Sequence, residues 1–251
     1  MAEFKMKIAG YTARVYSLFD STRDYCKNYL SAEEPDFSVT VTRENLVFEQ
    51  RELDEEALLE GMRRRVFSDP FLERAAIQRA FADFLLERNI LMLHGSTLAM
   101  DGRGYLFTAK CGTGKSTHTR LWRQVFGDRA VMVNDDKPFV LVGQDQVWIS
   151  GAPWSGKHGL DTNITVPLQG ICILERGPEN RIRPVQPEDA LAMLLHQTHC
   201  PAGREEKTLA LVKQMTSQVT LWQMACTKDP QAAHIAWEAM HDKQNESEKQ
   251  L

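Results

Sequence analysis

The run Tyr105-Leu-Phe-Thr-Ala-Lys-Cys-Gly-Thr-Gly-Lys-Ser-Thr117 constrains this chain more than any other. It reads as an apolar strand that breaks into a glycine-rich turn and opens a helix. Strand, glycine turn and helix in immediate succession belong to α/β architecture and form a phosphate cradle of the Walker A kind. Gly112 and Gly114 let backbone N–H groups converge on an anion, Lys115 adds positive charge toward the terminal phosphates, and Ser116 offers an oxygen to Mg²⁺. Cys111, Thr113 and Thr117 fill out the turn and the first helical residues. Ala109 stands where G-x-x-x-x-G-K-[ST] has its first glycine, and it too lacks a long side chain. This pattern specifies phosphate rather than a reaction. The plain alternative is a glycine turn between strand and helix with no ligand.

Beyond Lys115, the apolar run Val131-Met-Val-Asn-Asp-Asp136 ends in two adjacent carboxylates. In a nucleotide site one carboxylate can hold Mg²⁺ and its neighbour can accept a proton from an attacking hydroxyl. A hydrolytic ATPase or GTPase needs only one, so the doublet favours transfer to an acceptor; a solvated turn at Lys137-Pro138 is the simpler alternative. A third cluster, Gly151-Ala-Pro-Trp-Ser-Gly-Lys-His-Gly-Leu-Asp-Thr-Asn163, reads as a loop rather than a core element. There Lys157 can reach a transferring phosphoryl group, Gly156 and Gly159 permit close backbone approach, and Trp154 offers a platform for substrate. An ordinary long surface loop anchored by Trp154 is the competing account.

Residues 4–50 read as a small α+β lobe, with strands at Phe37–Thr42 and Leu46–Phe48. Helical spacing follows over Asp54–Arg65 and Pro70–Arg88, giving a connector over 53–89. The texture then changes to short apolar runs between glycine turns: Leu91–Met100, Tyr105–Ala109, Ala130–Val133, Phe139–Val142, Val147–Ile149 and Gly170–Leu174. A sheet-rich α/β core over 90–242 is expected, with helices after Pro187 and Asp229-Pro230 around a strand at Val219–Met224. The tail 243–251 is expected to fray.

With 251 residues and a net charge of −4, the chain has no basic surplus to drive nucleic-acid binding. Arg63–Arg65 reads as the solvated face of a helix. Five cysteines without C-x-x-C spacing suit a reducing cytoplasm. The absence of a long apolar run argues against a leader or a membrane span.

Taken together, the three clusters resemble the HPr kinase/phosphorylase and phosphoenolpyruvate carboxykinase-like P-loop kinases, over roughly His94 to Glu175. In that family a strand-borne His-Gly or His-Ser precedes the phosphate loop and an Asp-Asp pair follows it, as His94-Gly95-Ser96 and Asp135-Asp136 do here. Loop 151–163, Val166-Pro-Leu and Leu174-Glu-Arg-Gly177 look most like short bacterial HPr-serine-kinase-like proteins. The resemblance implies a carboxykinase-like core with a mixed β-sheet and flanking helices. It implies ATP and Mg²⁺ as cofactors, bound by Cys111, Gly112, Thr113, Gly114, Lys115, Ser116 and Thr117, with Ser116 and Asp136 as metal ligands. Asp135, Asp136, His94 and Lys157 would be catalytic, His94 orienting the carboxylates. The carboxykinase comparison makes Asp136 the metal ligand and Asp135 the base; the HPr kinase comparison permits the reverse.

Full carboxykinases are about twice this length, so their activity is disfavoured, and loop 151–163 stands where HPr kinases carry a glycine- and arginine-rich loop. The expected reaction is in-line transfer of a γ-phosphoryl group to a hydroxyl of a serine-bearing peptide or protein, or of a small alcohol. The expected partner is that acceptor, with no nucleic acid and no membrane; a homo-oligomer is left open, because HPr kinases are hexameric but the different N-terminal part of this chain weakens transfer of that arrangement. Two alternatives stand beside it: a nucleotide-gated binding protein, and a metal hydrolase using His196 and His199 on one helical face.

Overall fold

A computed structural model describes residues 2–59 and 61–241, so the tail expected to fray from Lys243 to Leu251 lies outside the described residues. Two compact units divide the chain, Met1–Leu85 and Leu86–Leu251.

In the first unit, β1 (Ala2–Ile8) and β2 (Tyr11–Ser17) form an antiparallel hairpin, and β3 (Phe37–Thr40) adds parallel to β2. Period-two alternation turns Phe4, Met6 and Ile8 into the core. Three helices complete it: α1 (Asp20–Tyr25), α2 (Arg43–Leu59) and α3 (Asp69–Leu86). Glu73 of α3 is fully buried and accepts hydrogen bonds from Leu18 N, Phe19 N and Thr22 Oγ1, which ties α3 to the start of α1.

Leu46–Phe48 is helical, not a strand. Leu46 and Glu49 share the buried side of α2 at helical spacing while Val47 and Phe48 face outward, and Arg79 Nε and Nη2 reach Glu49 Oε1 and Oε2 at 2.6 and 3.0 Å. A three-residue apolar run carries no period of its own, and this paired carboxylate selects the helix. The helix ends at Leu59, so Arg63–Arg65 is exposed in a non-helical segment instead of forming a helix face.

The second unit is a mixed α/β fold around one nine-stranded sheet. Its elements are β4 (Ile90–Met92), β5 (Ser96–Met100), β6 (Arg103–Thr108), α4 (Lys115–Phe126), β7 (Ala130–Asn134), β8 (Phe139–Val142) and β9 (Val147–Ser150). They continue with β10 (Thr165–Arg176), β11 (Arg181–Pro184), α5 (Pro187–His196), α6 (Glu205–Gln218), β12 (Thr220–Cys226) and α7 (Gln231–His241). The strand order is β4-β8-β9-β10-β6-β5-β7, with β12 on β10 and β11 on β12. Alternation along β6 separates two cores. Leu106 joins Ile171, Leu194 and Val212 against α5 and α6, whereas Tyr105 and Phe107 join Trp122, Ala233 and Met240 against α4 and α7.

Strand direction brings the site together. β6, β10 and β12 run parallel and end at one sheet edge, while β5 lies antiparallel between β6 and β7 and so starts where they stop. The apolar run Leu91–Met100 splits at His94-Gly95, with β4 pairing with β8 and β5 with β6 and β7. A Cβ at Gly95 would sit 2.5 Å from Leu106 Cδ1 and 3.1 Å from Phe107 O, so a side chain there would force the buried Leu106 to move away from the chain.

Candidate functional site

Four segments of the second unit converge on that edge: the turn after β6, the His94–Ser96 entry to β5, the Asn134–Asp136 exit from β7, and part of loop 151–163. Gly112 and Gly114 adopt φ of 72° and 127°, values that L side chains rarely take, and the turn feeds directly into α4. Lys115 is only 9% exposed, with its Nζ 3.1 Å from the Ala109 carbonyl. Thr113 N closes the turn on Lys110 O at 3.2 Å. Cys111 and Ser116 are exposed, and Thr117 is half-buried.

The two aspartates occupy different surroundings. Asp135 is buried and accepts from Ser96 Oγ at 2.5 Å; that hydroxyl also lies 2.8 Å from Thr119 Oγ1, one turn into α4. Asp136 is more open, with His94 Nε2 3.4 Å from its Oδ1. Burial, reinforced by the positive charges of Lys137, Lys115 and His196, pushes the His94 pKa down to about 2. The ring is therefore neutral at pH 7 and its contact with Asp136 is not an ion pair. Asn134 shapes the turn, its Oδ1 accepting from Asp136 N at 2.8 Å and Lys137 N at 2.6 Å.

Loop 151–163 is only partly a surface loop. Gly151–Ser155 are buried, Asn134 Nδ2 donates to Ala152 O at 2.7 Å, and Thr162 N donates to Val133 O at 3.1 Å. Trp154 is 6% exposed and packs edge-on against Phe139, so it is a core anchor and not an open platform. Lys157 is exposed in the short 3₁₀ turn Gly156–His158. A Cβ at Gly156 would lie 3.4 Å from Asp136 Cβ, which brings the backbone beside Lys157 against that carboxylate.

Sequence reading takes Arg176 only within Leu174-Glu-Arg-Gly177 and assigns no role of its own to Arg176, Ser96, Asn134 or Thr119. At the end of β10, the Arg176 guanidinium donates to Gly112 O at 2.6 Å and Thr113 O at 3.5 Å. The available signal was an arginine ending an apolar strand; its partnership with the glycine turn depends on β10 pairing with β6. The metal-hydrolase alternative loses its geometry, because α5 ends at His196 and His199 lies beyond it. Among the described residues no cluster of three or more His, Cys, Asp or Glu side chains is arranged to hold a metal. Nor is any described helix long and apolar enough to cross a membrane.

The family model described as "SynChlorMet cassette protein ScmC" matches residues 77–227. No curated protein matches the chain. Among solved structures, the Hpr(Ser) kinase/phosphatase from Coxiella burnetii aligns with a TM-score of 0.34 and 11% identity, covering 59% of this chain and 95% of that one.

Proposed function

We propose that this chain, which belongs to the ScmC family of SynChlorMet cassette proteins, is an ATP- and Mg²⁺-dependent phosphotransferase acting on an acceptor hydroxyl. The observation that carries the reading is a buried lysine in a glycine turn at the same sheet edge as two adjacent carboxylates. The residues fit a nucleotide with its metal. The positive φ of Gly112 and Gly114 would let backbone N–H groups turn toward an anion, and α4 begins there with N–H groups that a helix cannot satisfy internally.

Burial divides the aspartates in the proposal. Asp135, held by Ser96 against α4, would share Mg²⁺ with Ser116, the remaining ligands being phosphate oxygens and water. This exchanges the roles that the carboxykinase comparison implied. When bound, the ion would supply neutralisation of charge on the transferring phosphoryl group. Asp136, more open and beside Gly156, would take the acceptor's proton. Neutral His94 would hold that carboxylate in orientation, and Lys115 and Lys157 would offset developing negative charge. The acceptor would be a serine-bearing peptide or protein, or a small alcohol.

The test is ³¹P NMR of the protein with Mg-ATP and a pool of serine peptides, HPr and polyols, with Lys115→Ala as control. A phosphomonoester signal that vanishes in the variant supports the reading. ATP retained without transfer to any acceptor turns it toward a nucleotide-gated binding protein.

A further inference from the structure

The phosphate turn has two unlike sides. β6, which carries it, has β5 and β7 as neighbours on one side and β10 and β12 on the other. The first side carries His94, Asp135 and Asp136. The second carries Arg176, directly paired with Cys226, and then Thr227 and Lys228. Between that second side and the turn lies a cleft of about 400 Å³ lined by Gly114, His118, Arg176, Cys226, Thr227 and Lys228, among others, but by none of the three carboxylate-side residues. Its volume falls in the range of small-molecule sites.

Beneath the wall, on the lining residue His118, lies a buried donor without a partner among the described residues. Trp122 Nε1 donates to His118 Nε2 at 3.1 Å, so that nitrogen carries no proton. Burial lowers the His118 pKa to about 4, so the neutral ring carries its single proton on Nδ1. His118 is 2% exposed, and its Nδ1 finds no partner among the described residues. A buried N–H left unpaired is costly and rare in folded proteins.

We infer that this cleft takes the nucleoside end of the phosphoryl donor, leaving the carboxylate side of the turn to the acceptor. The inference rests on the phosphotransferase reading and gives it a direction. A γ-phosphoryl group must face the acceptor and its proton-accepting carboxylate, so the leaving diphosphate and nucleoside extend the opposite way, across β6 toward β10 and β12. Neighbouring strands are about 4.8 Å apart, so β12 lies about 10 Å from β6 across the sheet. The Arg176 hydrogen bonds to Gly112 O and Thr113 O close the cleft against the turn, joining the two as parts of one site.

Titration calorimetry with Mg-ATP and with Mg-tripolyphosphate tests this, using Thr227→Trp and Lys228→Trp, two rim positions where a large side chain fills the cleft without entering the core. Tripolyphosphate occupies the turn but has no nucleoside. Expected in both variants is a loss of ATP affinity of about tenfold or more, with tripolyphosphate affinity within about twofold of wild type. Equal weakening of the two ligands, or unchanged ATP affinity in both tryptophan variants, overturns the inference while leaving the phosphotransferase reading standing. Failure of the wild-type protein to bind either ligand removes both.

Discussion

Replacing His94 by Gln should flatten the acid limb of the stability curve of the ligand-free protein. In the unfolded chain His94 titrates near its ordinary 6.5, whereas in the folded protein burial and the charges of Lys137, Lys115 and His196 hold it near 2. Between those values the unfolded state binds a proton that the folded state does not, so stability is lost as pH falls below 6.5. At pH 7 the difference is close to zero; at pH 5 it is about 2 kcal/mol, the 1.5 units below the unfolded value taken at 1.36 kcal/mol each. His94 is largely enclosed, so solvent screening removes only part of this. Urea unfolding of wild type and His94→Gln from pH 7.5 to 5 measures the term, since every other titrating group is shared. Between pH 7 and pH 5 wild type should lose about 2 kcal/mol more stability than the variant, whatever the variant's offset at pH 7. Parallel curves would refute the argument: His94 would then bind its proton equally well in the folded state, and its burial beside Lys137 and Lys115 would not be what keeps the ring neutral.

Asp136→Asn should keep ATP affinity within a few-fold of wild type but abolish transfer, whereas Asp135→Asn should also weaken the Mg²⁺ dependence of ATP binding; calorimetry with and without Mg²⁺ separates the two, and normal transfer in either variant removes the assignment. Arg176→Ala should weaken Mg-ATP binding by about tenfold by freeing the glycine turn, and Arg176→Lys should not restore it, because an ammonium lacks the fork that spans two carbonyls. Faster amide exchange over residues 111–116 in both variants without ligand should accompany the loss; full affinity in Arg176→Lys would instead mean that only the charge matters.

What was legible in the sequence was what is local. The glycine turn and the aspartate pair each declare themselves within a dozen residues, because strand, turn and helix signals are short-ranged. Phe139–Val142 matched its strand exactly, and α5 begins at Pro187 as its opening turn implied. Leu46–Phe48 failed because three apolar residues fit either period, and the deciding partner, Arg79, lies in another helix. Loop 151–163 misled for a related reason. Its glycines and Pro153 signal a turn, but burial of Trp154 and the hydrogen bonds from Asn134 to Ala152 and Trp154 depend on β7 ending beside it. Ser96 and Asp135 are 39 residues apart, and Arg176 and Gly112 are 64 apart, so neither contact could be read before strand order was known.

Strand order explains more than which residues meet. A wholly parallel sheet would set the entry of β5 at the far edge, with His94 and Ser96 at the opposite end from the glycine turn. Because β5 runs antiparallel, its first residues fill the gap between β6 and β7, and Ser96 spans from Thr119 on α4 to Asp135. The helix that begins at the glycine turn and the carboxylate beyond β5 are thus joined through one buried hydroxyl. Any shift of α4 on ligand binding would be felt at Asp135 before Asp136, whose contacts run instead to His94 and the Gly156 backbone. Two adjacent carboxylates consequently answer to different elements, Asp135 through Ser96 to α4 and Asp136 to His94 and the Gly156 backbone, and in the proposed phosphotransferase this would let the donor and acceptor sides of the site be held separately.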